Sequence, residues 1–243
     1  MLDEPLGGFM ILASPVTPNR TRIEGGLPSR AELATLAAAS VPALLVNCDL
    51  DGADLSNLDM ADWRFEGCVL KRANLTSATL ENAAFEGCRG GFANFTAAIL
   101  TEAVFQSSDF NNAIFVGASL SQTAFNGCKL TGADLSQTKS TGTSFRETTL
   151  SAARLPGFSF RKARIHRVDF SLADLAKCDF REAVFEESSL RESHLVDARF
   201  EGADLRGADL GGLRLNDARK VKGATISRIQ AGDLLAEMGL KVL

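Results

Sequence analysis

Large apolar residues fall at every fifth position along this chain. Between Leu45 and Leu215 there are 35 such positions, and 33 of them hold Leu, Phe, Met or Ile with no slip of register; Gly90 and Ser140 are the exceptions. A helix keeps residues on one face with a period near 3.6 and a flat strand with a period of about 2, so neither can bury this set. The residue two before each large one is nearly always small, as at Ala53, Ala73, Ala78, Ala83 and Ala93, and all five cysteines (Cys48, Cys68, Cys88, Cys128, Cys178) sit there too. Two residues in each repeat therefore point inward. Asp or Asn often stands between them (Asp54, Asn74, Asn94, Asp134), and Gly recurs two residues after the large one (Gly52, Gly67, Gly87, Gly117). That is the chemistry of a type II turn, whose third residue needs φ > 0. The period predicts a solenoid that turns once per repeat.

The stretches "GADLSNLDM", "RANLTSATL", "TGADLSQ" and "FEGADLRGADLGGL" resemble the pentapeptide repeat proteins, whose motif is a small residue, Asp or Asn, Leu or Phe, then two polar residues. The resemblance covers residues 43–217. It implies an all-β solenoid, a right-handed quadrilateral parallel β-helix with four repeats per twenty-residue coil, here about 8–9 coils with short helical caps. Stacking the sequence by twenties puts Phe65, Phe85, Phe105, Phe125, Phe145, Ile165 and Phe185 in one core column, with leucine prevailing on the other three faces. Each coil is then stabilised by its neighbours, and both ends need caps.

For the N-terminal cap, Ser29 and Glu32 stand at capping-box spacing at the start of "SRAELATLAAA", so a helix is expected within residues 28–42. Residues 218–243 place Ile226, Ile229, Leu234, Leu235 and Met238 on roughly one helical stripe, stopped by Gly239. This segment is read as a cap or as the dimerisation segment that joins two rods in several pentapeptide repeat proteins. Residues 1–27, with three prolines and four glycines, read as an extended or flexible arm.

Composition narrows the function. The 243 residues carry 30 acidic and 26 basic side chains, net charge -4, which is too balanced for direct nucleic-acid binding. The apolar run near the start is short and preceded by Asp3 and Glu4 rather than Lys or Arg, and nothing approaches a membrane span, so a cytoplasmic location is expected, with no membrane partner. An odd number of cysteines argues against a complete disulfide framework, and their spacing by twenties is unlike a zinc site; they read as fillers of the small inward position. His166 and His194 fall on different faces and cannot work as a pair. No nucleophile–base arrangement or phosphate loop can be assembled. The protein is expected to be no enzyme and to need no metal or cofactor. "RKARIHR" (161–167) is the densest basic run, with Glu147, Glu186 and Glu187 stacked beside it.

One outward stripe is bland. Ala84, Val104, Ala124 and Ser144 precede successive phenylalanines, with Gly67, Gly87, Ser107 and Gly127 along its edge, and such a flat face suits a rigid protein partner or a second copy. The chain is therefore read as a non-enzymatic scaffold whose rod surface docks a protein. The resemblance implies an alternative: a mimic of duplex DNA that binds DNA gyrase or topoisomerase IV and protects it from quinolones or other poisons, a source of antibiotic resistance. Mimicry needs a continuous negative surface, yet residues 41–140 hold 11 acids and 6 bases and residues 141–220 hold 13 acids and 14 bases. The projecting loops of the plasmid-borne quinolone-resistance members are also missing between residues 45 and 215, so the chain looks like the loop-free type. The unusual first 27 residues motivate a third reading, a secreted effector. Gly90, Ser140 and "LPGFSF" (155–160), with Phe158 in a small position, should bulge or kink their coils, as should Leu58 and Trp63.

Overall fold

In a computed structural model, which describes residues 20–212, 221–237 and 239–241, the chain is a parallel β-solenoid of about 9 turns with two short helices. One face is a nine-stranded parallel sheet in sequence order. Its strands are β1 (Thr21–Glu24), β2 (Ala43–Val46), β3 (Arg64–Glu66), β4 (Ala84–Glu86), β5 (Val104–Gln106), β6 (Ala124–Asn126), β7 (Ser144–Arg146), β8 (Arg164–His166) and β9 (Val184–Glu186). From β2 onward each residue pairs with the one twenty later, as in Phe65↔Phe85 and Phe85↔Phe105. The other faces are held by single bridges of the same register, such as Asp54↔Asn74, Asp59↔Thr79 and Asp49↔Val69. The short strands β10 (Ser188–Ser189) and β11 (Ala208–Asp209) pair near the C-terminal end.

The turns follow from the sequence. From Leu45 to Phe200 the residue two after each large position takes positive φ: Gly52 at 65°, Asn57 at 59°, Asp62 at 60° and Gly67 at 63° in the first coil. On three faces the amide three residues after the large one closes the turn, as in Ala73 N–H to Leu70 O at 3.1 Å and Ala78 N–H to Leu75 O at 3.1 Å. The core is the two inward columns of each face. Phe65, Phe85, Phe105, Phe125 and Phe145 stack face to face with centroids 4.6 to 5.1 Å apart, the rung spacing of a parallel sheet. Phe160, Phe180 and Phe200 form a second stack at 4.9 Å.

Both ends are closed by helices. α1 (Arg30–Ala38) carries the Ser29–Glu32 capping box, with Ser29 N–H to Glu32 Oε2 at 2.8 Å, and buries Leu33 and Ala37 against the rod. Arg30 fastens it by donating to the carbonyls of Asp54 (2.6 Å) and Ser56 (3.1 Å) and pairing with the Asp54 carboxylate. α2 (Arg228–Glu237) buries Gln230 and Leu234, and the Gln230 amide donates to Leu205 O and Ala208 O at 2.7 Å each. Of the arm expected over residues 1–27, residues 1–19 lie outside the described residues. Its later part is structured: Thr21–Glu24 pairs in parallel with Ala43–Val46 and adds a rung beneath the repeats.

The irregular coils behave differently from one another. At Gly90 the ladder continues, with Gly90 N–H to Asp109 O at 2.7 Å, because Phe110 one coil later leans into the space: a Cβ on Gly90 would lie 2.0 Å from its ring. The kink expected at Gly90 is therefore not formed. Trp63 and Leu58 are likewise buried without breaking the ladder. At Ser140 the ladder does fail, although Phe158, from its small position, reaches across to within 5.7 Å of Phe145. Gly90→Ala should destabilise the rod by about 1–3 kcal/mol through overpacking, and adding Phe110→Leu should recover most of that loss. Fully additive costs in a denaturant-unfolding double-mutant cycle would show that the two sites are not coupled.

Candidate functional site

The bland stripe is continuous. The register Arg64↔Ala84↔Val104↔Ala124↔Ser144 sets these side chains one above another on the outer surface of β3 to β7. Val104 is 39% exposed, Ser144 is exposed, and Ala84 and Ala124 are half-buried. The four uncharged rungs span roughly 15 Å. Arg64 bounds them on the N-terminal side, and Arg164, the outward residue of β8, on the other. No side chain in the stripe is longer than valine, so a partner can approach the sheet closely. The adjoining outward column of the same strands runs Glu66, Glu86, Gln106, Asn126, Arg146, His166 and Glu186 and changes sign on the way.

The basic run 161–167 is neutralised coil by coil. Arg161 and Lys162 reach Glu182 at 3.1 and 3.5 Å, Arg164 reaches Glu186 at 2.5 Å, and Arg167 reaches Glu187 at 2.8 Å. The hydrogen bond from Arg167 holds the Glu187 carboxyl below its ordinary range. The two histidines do lie apart: His166 faces Glu186 at 3.4 Å, and His194 Nδ1 lies 3.0 Å from Asp174. Charges along the outward columns of the C-terminal half alternate in this way, for example Asp134, Arg154, Asp174 and His194, whereas Thr79, Ile99 and Ser119 form a second uncharged stretch nearer the N-terminal end. The ladder forms salt-bridged rungs rather than one negative ridge. Among the described residues no three His, Cys, Asp or Glu side chains gather as a metal site would require, and no helix is long and apolar enough to cross a membrane.

The small column of the phenylalanine face does more than fill volume. On the phenylalanine face the turn lacks the internal amide bond, so the amide three residues after each phenylalanine needs another acceptor. Where a hydroxyl stands one coil later it supplies it: Cys88 N–H donates to Ser108 Oγ at 3.0 Å, Cys128 N–H to Thr148 Oγ1 at 3.4 Å, and Val168 N–H to Ser188 Oγ at 3.1 Å. Those hydroxyls and the thiols of the column donate in turn to carbonyls below, as in Ser108 to Phe85 O at 3.2 Å and Cys128 to Phe105 O at 3.3 Å. The sequence signal was present, since positions 48 to 148 of this column read Cys, Cys, Cys, Ser, Cys, Thr and never Ala. Burial pushes the thiols of Cys128 and Cys178 up to about 11 and about 12. The neighbouring Cys68 thiol and burial together hold the Cys88 thiol far above its ordinary value.

The C-terminal residues separate into two sets. Leu234 is buried and Ile226 packs against the core, whereas Ile229 is 78% exposed and Leu235 also faces outward; Met238 lies outside the described residues.

Comparison with known proteins follows this geometry. Residues 43–115 match the family model for a pentapeptide repeat region, and residues 143–182 and 183–219 match that for pentapeptide repeats of eight copies. Full-length QnrB1, a plasmid-mediated fluoroquinolone resistance protein, has a similar structure, with a TM-score of 0.53 and 19% identity over 91% of this chain and 98% of its own. A trypsin-treated form of it gives 0.53 and 20% over 92% and 98%. HetL, involved in heterocyst differentiation regulation in the cyanobacterium Nostoc, gives 0.39 and 23% over 77% and 86%. No curated protein sequence matches. Ser108→Ala should cost about 1–3 kcal/mol in chemical unfolding by leaving the buried Cys88 amide without an acceptor, and Ser108→Cys should cost less than half as much. Equal costs would mean that the column selects for size.

Proposed function

The chain belongs to the pentapeptide repeat family, and on that premise we propose that it is a non-enzymatic scaffold whose rod docks a protein partner on the Ala84–Val104–Ala124–Ser144 stripe. The observation that carries this reading is the stripe itself: four uncharged rungs with no side chain longer than valine, between Arg64 and Arg164, on the continuous sheet of the rod, whereas columns such as Asp134–Arg154–Asp174 carry ion pairs. A rigid sheet loses little conformational entropy on binding, so a flat complementary face on the partner is sufficient. Val104→Arg and Ala124→Glu should each reduce partner capture by at least about tenfold, since a buried unpaired charge costs more than about 1.4 kcal/mol. Ile114→Arg, on the opposite face, should leave capture unchanged. Retention by both stripe variants would remove the proposal.

A second reading, protection of DNA gyrase or topoisomerase IV by mimicry of duplex DNA, draws on the acidic half of the rod at residues 41–140 and on the fold shared with QnrB1 along nearly the whole of both chains. A supercoiling assay with purified gyrase, with and without a fluoroquinolone, separates the two. Mimicry requires inhibition or protection that declines as salt rises, and the scaffold reading requires neither.

A further inference from the structure

The stacking of coils fails in one place. Among the described residues, no backbone hydrogen bond joins residues 137–143 to residues 156–164, although the corresponding bonds run through the other repeat coils. The bridges Ser119↔Lys139 and Ser159↔Asp179 have no counterpart between Lys139 and Ser159, and β7 and β8 pair only through Arg146↔His166. The same coils stay zipped on another face through Asp134↔Arg154. The rod therefore opens on one side, at the level where Ser140 stands in a column that elsewhere holds Leu100, Leu120, Phe160 and Phe180. The opening is a cavity of about 500 Å³ with Phe145, Phe160 and Ile165 in its floor, Arg161 and Arg164 at its margin and no acid in its lining. Ala163 and Thr143 lose the complete burial that Ala103 and Thr123 have in equivalent positions. The walls carry Ser140, Thr141, Ser144 and Ser159, but the floor is apolar, and because interiors are otherwise packed to crystal density that floor invites apolar side chains.

We propose that this slit is a binding site for an extended apolar segment, and that its occupant is Phe9-Met10-Ile11-Leu12 of the same chain. Residues 1–19 lie outside the described residues, but the point from which they depart is fixed. Thr21 pairs with Ala43, so Arg20 stands in the same corner column as Gly142 and Lys162, which flank the slit, and it lies beside Asp62 and Arg64 of the overlying coils. From Arg20 to the slit is roughly 30 Å along the rod at about 4.8 Å per coil, and the nine residues from Ile11 to Arg20 span roughly 30 Å when extended. Phe9 and Ile11, two apart, project to one side of an extended chain and can enter the cavity together. The path follows the edge of the Ala84–Ser144 stripe, but the inference does not rest on partner docking there, and its test uses no partner.

Amide hydrogen exchange on the full chain and on a chain beginning at Arg20 tests it, because the shortened chain keeps β1 and the whole rod. Residues 137–143 and 159–164 should exchange at least about tenfold faster in the shortened chain, with the other coils unchanged, and a synthetic peptide of residues 1–19 should restore the slow rate. The full chain carrying Phe9→Asp and Ile11→Asp should behave like the shortened chain, and Ser140→Leu, which restores the large residue of its column and occupies part of the cavity, should weaken binding of the labelled peptide at least about tenfold. Equal exchange in the full and shortened chains would overturn the proposal, as would protection that appears only as protein concentration rises, which would assign the slit to a second copy.

Discussion

Each coil closes after twenty residues because the chain takes a left-handed turn residue once in every five, and every other feature of the rod depends on that repeated backbone geometry. Glycine meets the requirement without strain, but Arg72, Asn82, Glu102 and Leu172 adopt the same φ, between 54° and 61°. Each such residue costs about 1–2 kcal/mol in isolation. The cost is offset because a closed coil presents a full set of backbone groups to its neighbours and buries a large and a small side chain on every face. Neither gain exists for a single coil, so stability arises between coils and must be protected at the two ends, where α1 and α2 stand.

The same constraint determines what the surface can be. Outward residues lie in straight columns at the rung spacing, so a charge is felt mainly by residues twenty away. Arg154 between Asp134 and Asp174, and Arg167 against Glu187, show columns that alternate in sign. A rod of this kind has little long-range field, and a column without charges becomes its most distinctive face. That is the physical ground for placing a partner on the stripe above β4 to β7.

Much of this was legible in the sequence because a five-residue period has few structural solutions. The phenylalanine column, the Ser29–Glu32 capping box and the stripe all follow from counting. What was not legible depended on how two coils fit together. Gly90 and Ser140 are equivalent departures in the sequence, but Phe110 fills the first and only part of the second is taken up by Phe158, a difference of neighbouring volumes that periodicity does not encode. The cysteines read as small fillers because volume alone accounts for Cys, Ser or Thr in the small position, and only the absence of Ala from positions 48 to 148 marks the turn without an internal amide bond. Thr21–Glu24 was assigned to the arm because it lacks the repeat, yet a strand pairing with Ala43–Val46 needs only extended backbone and one apolar residue, Ile23, turned inward.

The claim on which the rest stands is that the coil of twenty, not the single repeat, is the unit of stability. Excising residues 111–130 removes one coil and leaves every column in register, whereas excising residues 111–129 removes one residue fewer and shifts all later columns. The first chain should melt cooperatively as a shorter rod with a parallel-β circular dichroism spectrum, and the second should lose cooperative melting. Similar melting of the two chains would contradict the account.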